Sequence, residues 1–146
     1  MSKKIINLYQ TTTENLFKTV CLLLAKCYEE SAKTIAVLPD HQSSLLLDNM
    51  LWSFSQKVFI PHAIDSDPLF DEHPIIITYC GVANLNAQNF KTLMLVNTFD
   101  LAYDCDKVII CFTEEFQQAA LNLRLSTPYD STNYYRQDAK GSWKKA

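Results

Sequence analysis

The amino-acid sequence predicts an α/β domain in three layers, with helices covering both faces of a Rossmann-like, mostly parallel sheet of about five strands. Three observations predict it. Short apolar runs take turns with longer segments of helical periodicity, the order that builds βαβ units. The runs are continuous rather than alternating, as expected of strands covered on both faces. And 146 residues, 48% hydrophobic and 20% charged, fit a single domain spanning 1–146, long enough to bury roughly two-thirds of its unfolded surface.

Ile5-Ile6-Asn7-Leu8-Tyr9 gives way to Thr11-Thr12-Thr13 and reads as the first strand. Thr13 reads as the N-cap of a first helix, its hydroxyl accepting from a free backbone N–H. Leu16, Phe17, Val20, Leu23, Leu24, Cys27 and Tyr28 then recur at the spacing of a helix packed on one face. Ile35 to Leu38 is a second strand stopped by Pro39, and Asp40 caps a second helix reaching about Trp52. Val58 to Ile60 is a short extended piece before Pro61, and residues 63–73 read as an Asp-rich loop. Ile75–Tyr79, Leu93–Val96 and Val108–Phe112 are three further strands, followed by a helix from about Glu114 to Leu123. Ser126-Thr127-Pro128 breaks that helix. A last, polar helix is expected from about Tyr129 to Lys140, within a C-terminal segment 129–146.

Net charge is −3, from 13 basic and 16 acidic residues, which argues against wholesale electrostatic binding to nucleic acid. The last eleven residues nevertheless hold Arg136, Lys140, Lys144 and Lys145 against Asp138 alone, a candidate local basic patch. The five cysteines have no CxxC spacing, and three sit in apolar runs where Cys acts as a small hydrophobe. With no signal peptide and no membrane-length apolar run, reduced thiols in a cytoplasmic protein are expected.

Catalytic chemistry finds little support. A nucleotide-binding sheet needs glycines at its first strand–helix turn, and here that turn is Gln10-Thr11-Thr12-Thr13. Only Gly81 and Gly141 occur in the chain. His41, His62 and His73 are scattered, and no metal or cofactor is expected. Asp65, Asp67, Asp71 and Glu72 read as a solvated loop without the patterned glycine of a calcium site. Asp100, Asp104 and Asp106 read as turn residues, and Cys80 lacks an activating neighbour.

Two segments carry a more specific signal: Leu47-Asp48-Asn49-Met50-Leu51-Trp52, then Phe59-Ile60-Pro61-His62. They resemble the pattern Leu-Asp-x-x-Leu-Trp, a spacer, then Phe-aliphatic-Pro-His of the chi subunit of the bacterial DNA polymerase III clamp loader. Ile6-Asn7-Leu8-Tyr9 before a long helix, the strand Lys33 to Leu38, and Leu93 to Asn97 followed by Lys107 to Ile110 are similar to the family in the same order. The family signature on this chain is thus Leu47, Asp48, Leu51, Trp52, Phe59, Pro61 and His62.

The resemblance implies an accessory subunit without an active site of its own. It implies pairing with a small psi-like clamp-loader subunit and binding of the acidic, Phe-terminated tail of single-stranded-DNA-binding protein. Nucleic acid is then contacted only indirectly, and no membrane is involved. Such a tail needs Arg or Lys beside an apolar pocket. The family's pocket implies Trp52 together with basic and aromatic residues of the last helix. Tyr135-Arg136, with Gly141 and Trp143 after it, resembles the family's aromatic-basic pair; Arg124 instead stands in the place of its first Arg if the segment is displaced. Arg136 and Lys140 would share one helix face. Trp52 reads equally as core packing or as the lining of a cleft. Phe59 reads as core, Pro61-His62 as a rigid turn with a hydrogen-bonded imidazole, and Trp143 as packing back on the domain or fraying. The alternative function is a nucleotide-dependent enzyme on a Rossmann-like scaffold.

Overall fold

The computed structural model describes residues 4–54, 60–64, 73–79, 90–99, 105–126 and 131–146. Among these, eight strands form one sheet: β1 (Ile5–Thr11), β2 (Thr34–Leu38), β3 (His62–Ile64), β4 (Ile75–Tyr79), β5 (Thr92–Val96), β6 (Lys107–Thr113), β7 (Ser131–Gln137) and β8 (Trp143–Lys145). Helices α1 (Leu16–Glu29), α2 (His41–Ser53) and α3 (Gln117–Ser126) complete the layers, α3 being entered through a 3-10 turn at Glu114–Phe116. The strand order is β3-β4-β2-β5-β6-β1-β7-β8. Every pairing is parallel except that of β7 with β8. The α/β class holds, with eight strands where about five were expected.

Successive strand residues point to opposite faces, and each face has its own core. Ala36, Leu38, Ile75, Ile77, Met94, Val96, Ile109 and Cys111 pack with Leu16, Val20, Leu24 and Cys27 of α1 and Leu47 and Leu51 of α2. Ile6, Leu8, Ile35, Val37, Ile76, Leu93, Leu95, Ile110 and Phe112 face the other way, toward Ala120 of α3. Covering both faces is why these strands read as unbroken apolar runs.

Helix termini follow local chemistry. Asp40 Oδ1 accepts from Ser43 N at 2.7 Å, the expected cap of α2. The expected Thr13 cap is corrected: Asn15 holds the cap position of α1 with no side-chain cap bond. Its own N–H is instead turned back onto Thr12, whose Oγ1 lies 3.2 Å away. The C-terminus of α1 closes through Ser31, at φ 58°, with Ser31 N donating to Tyr28 O and Ala32 N to Cys27 O. A left-handed residue with a Cβ is strained, and glycine there is not. Ser31→Gly is therefore expected to stabilise by about 0.5–1 kcal/mol, read as a higher urea midpoint at unchanged slope.

Three further expectations are corrected. Ala63 and Ile64 belong to the edge strand β3 rather than to a loop; a strand of three residues is too short to carry a pattern. His62 opens that strand rather than a turn. The expected polar helix from Tyr129 to Lys140 is the strand β7 followed by a turn into β8. β7 pairs along β1, where Ile6 and Leu8 are fully buried, so the sheet gains a strand where β1 would otherwise be an edge. Asp138 makes the turn: its Oδ1 accepts from Lys140 N and Ser142 N, each at 2.9 Å, and Gly141 sits at φ 87°. Phe59, the 65–72 loop, Cys80, Gly81, Asp100 and Asp104 lie outside the described residues.

Candidate partner-binding surfaces

Two groups of side chains stand out, and the sheet separates them. One lies over the β3–β4 side, where α2 packs on β2, β3 and β4. Leu47 and Leu51 turn into the core while Leu45, Leu46, Met50 and Trp52 remain exposed. Among the described residues Trp52 is the most exposed of the large hydrophobic side chains, at 57%. Its indole lies against the His62 imidazole, with ring centroids 4.9 Å apart. His62 is buried, and its Nε2 stands 3.1 Å from Asp48 Oδ1. The two signature segments are thus brought into contact, Asp48 and Trp52 from α2 meeting His62 from β3.

The second group sits at the carboxyl ends of β1, β6 and β7. Register sets these ends level, with Thr11 beside Thr113 and Gln10 beside Arg136. α1 leaves β1 on one face and α3 follows β6 on the other. A crevice opens where connections diverge in this way, and here it has a volume of about 570 Å³. Gln10, Thr11, Thr113, Glu115, Gln117 and Arg136 are among its lining residues. Tyr134 OH donates to Gln10 Oε1, Gln10 Nε2 donates to Gln117 Oε1 at 3.3 Å, and Thr11 Oγ1 donates to Gln137 Oε1. This amide network ties three elements together.

Two guanidiniums meet at the Tyr134 ring. Arg124 from α3 and Arg136 from β7 each lie 5.8 Å from its centroid, within cation–π range, and both are exposed. Residues two apart on a strand share a face, so Arg136 follows Tyr134 while Tyr135 turns to the α1 side. There Tyr135 stacks on Tyr9 at 5.1 Å, and Trp143 packs edge-on against Tyr9 at 5.5 Å. Trp143 therefore packs back on the sheet. Tyr135 and Arg136, adjacent on a strand, point to opposite faces of the sheet, and Arg136 and Lys140 do not share the expected helix face, because Lys140 lies in the turn after β7. Trp52 and Arg136 do not share a cleft, because β2, which α2 covers, is four strands from β7, about 19 Å at the usual strand spacing. Sequence reasoning had passed over Tyr134 and Gln10, although the alternation of Tyr134 and Arg136 carries the strand period.

Burial governs the ionisable groups in the core. The Tyr9 phenol is pushed up to about 12, by burial first and then by Tyr135, Cys111 and Cys27. Burial raises the Cys21 thiol to about 11 and also raises Cys27 and Cys111. Buried, high-pKa thiols are poor nucleophiles. In a Cys80→Ser background, Cys21, Cys27, Cys105 and Cys111 are expected to resist a thiol reagent at pH 8 until the protein is unfolded. The folded Cys21 thiol holds its proton above the unfolded value of 9.0, so its share of stability is intact below pH 9. It is lost as pH rises toward about 11, which an alkaline series of urea titrations would read.

Among the described residues no group of three or more His, Cys, Asp or Glu side chains is placed to hold a metal ion. No described helix is long and apolar enough to cross a membrane.

Comparison with known proteins agrees with the family resemblance read from the sequence. Residues 4–145 match the sequence model of the family described as DNA polymerase III chi subunit, HolC. A "Probable DNA polymerase III subunit chi" from Rickettsia prowazekii (strain Madrid E) is 31% identical over 96 residues, 66% of this chain and 56% of that protein. The chain thus matches a little over half the length of that relative. Among solved structures, the C-terminal domain of the DEAD-box protein Dbp5 superposes with a TM-score of 0.58 over 92% of this chain and 91% of its own, at 12% identity. That likeness is one of fold alone. The match to the family model runs over nearly the whole chain, and the chain belongs to the DNA polymerase III chi subunit family.

Proposed function

We propose that this chain is a non-catalytic accessory subunit of the polymerase III holoenzyme, bridging a psi-like clamp-loader subunit to the acidic tail of single-stranded-DNA-binding protein. The observation that carries the reading is the meeting of Arg124 and Arg136 at Tyr134, beside the crevice formed by β1, β6 and β7. Two exposed guanidiniums on an aromatic platform suit a carboxylate-rich peptide, since Arg binds carboxylates through charge-assisted, often bidentate hydrogen bonds. In this reading Arg124 and Arg136 hold the tail, and Lys140, Tyr135 and Trp143 border the same end of the sheet. Trp52, with Leu45 two helical turns before it on the same flank of α2, forms the psi-facing surface at the other end, because exposed aromatics are typical anchors of protein interfaces. A bridge needs two separated surfaces, and the strand order supplies the separation.

Calorimetry with a synthetic peptide ending in acidic residues and Phe tests the reading. Binding is expected in the micromolar range and weakens as salt rises. Lys18→Ala, on the exposed side of α1, should bind as the unmodified protein does, and so should Trp52→Ala. No heat with the peptide at low salt would remove the tail-binding half of the proposal. The nucleotide-enzyme alternative would be revived by a thermal shift of several degrees with any nucleotide.

A further inference from the structure

The contact between α2 and β3 does more than fill space. The His62 side chain is fully buried, whereas Asp48 is 22% exposed. The imidazole is addressed from both of its nitrogens. Nδ1 lies 2.7 Å from the carbonyl oxygen of Ile60; a carbonyl only accepts, so Nδ1 carries the proton of that bond. Nε2 faces Asp48 Oδ1 at 3.1 Å, but off the line of a full hydrogen bond, and no other described group satisfies it. The ring is therefore anchored through Nδ1 by the Ile60 carbonyl, and the Asp48 carboxylate stands at ion-pair distance from its other nitrogen. Its face is presented to the indole of Trp52, tilted by 58° at 4.9 Å between centroids. Asp48 and Trp52 are one helical turn apart, so they project on the same side of α2 and meet the imidazole together.

A histidine buried merely to fill the core would need neither an adjacent carboxylate nor an exposed ring upon it. Immobilising a side chain on docking costs about 0.5–1.5 kcal/mol, and a ring already held in one orientation avoids most of that cost. We infer that Asp48 and His62 are positioning residues that hold Trp52 in a single orientation, ready for an apolar protein partner. The inference rests on the reading of the α2 face as the psi-facing surface. It also explains why the two signature segments are linked: the Asp and Trp of one act through the His of the other.

Trp143→Phe leaves Trp52 as the sole indole, since the chain has two tryptophans. In that background, Asp48→Asn and His62→Gln are compared by time-resolved fluorescence anisotropy, by acrylamide quenching and by capture of the psi-like subunit. The expected result is a faster local anisotropy decay and easier quenching of Trp52 in both variants. Capture should weaken in both, though less than in Trp52→Ala. Far-UV circular dichroism verifies that each variant is folded. If both variants leave Trp52 as ordered and as shielded as before, the positioning role is overturned, even if their melting temperatures fall. If Trp52→Ala captures the psi-like subunit at full affinity, the docking surface has been misassigned, and that result is separate from the anisotropy readout.

Discussion

Replacing Arg124 and Arg136 together by alanine is expected to abolish measurable binding of the acidic, Phe-terminated peptide. Each guanidinium lies 5.8 Å from the Tyr134 centroid, one carried by a helix and the other by a strand. A hydrogen bond to a charged partner contributes about 1.5–3 kcal/mol, so a single replacement should weaken a micromolar complex about tenfold or more. The pair share one ligand and one ring, so their losses need not add; even so, the double variant should fall to the millimolar range. Both side chains are exposed, and their removal buries no unpaired charge, so folding should be intact. Arg136→Lys should recover part of the affinity, because the charge stays while the planar fork is lost. Single variants should also show a shallower salt dependence than the parent. Calorimetry across a salt series reads all of this, and unaltered affinity in the double variant would place the tail elsewhere.

The largest effect on stability is expected at Tyr134. The residue is 1% exposed, meets Phe112 edge-on at 5.8 Å, and donates its hydroxyl proton to Gln10. Tyr134→Ala should cost about 3–5 kcal/mol, the usual range for deleting a buried aromatic ring. That is a large share of a typical 5–15 kcal/mol total. Tyr134→Phe keeps the ring but strands a buried acceptor on Gln10, and should cost about 1–3 kcal/mol. Urea unfolding of the two variants separates packing from hydrogen bonding. Equal losses would mean that the ring itself contributes little. The same ring is the platform for both arginines, so Tyr134→Phe should leave peptide affinity nearly unchanged.

The parts of the fold legible in the sequence are those where burial on both faces writes a continuous apolar run: β1, β2, β4, β5 and β6. α1 was legible from its stripe and α2 from Asp40. The short strand β3 was not, because three residues at a sheet edge carry no period. β7 was misread for a physical reason: Thr132, Asn133 and Arg136 are polar, and only Tyr134 is buried, so the segment looks like a solvated helix. The clue was the turn after it, where Asp138 and Gly141 stand at hairpin spacing. The site was legible as residues but not as an arrangement. Trp52 and His62, named separately in the sequence, come together from the two signature segments. Arg124 and Arg136, offered as alternatives for one place, are neighbours across Tyr134. Their joint placement depends on β7 being a strand, since on a helix Tyr134 and Arg136 would stand about 200° apart and share no face.

The position of β1 also bears on how the chain is made. Among the described strands it is made before the others, yet its two neighbours, β6 and β7, come about a hundred residues or more later. Asn133 donates to Asn7 across 126 residues of chain. At usual synthesis rates of roughly 5–20 residues per second, β1 waits on the order of ten seconds for the partners that cover Ile6 and Leu8. During that interval it is an apolar ribbon with both edges open, the kind of segment that chaperones shield and that misassembles when crowded. Translation arrested before β7 should accordingly yield an aggregating product, whereas synthesis through β7 lets β1 close the sheet.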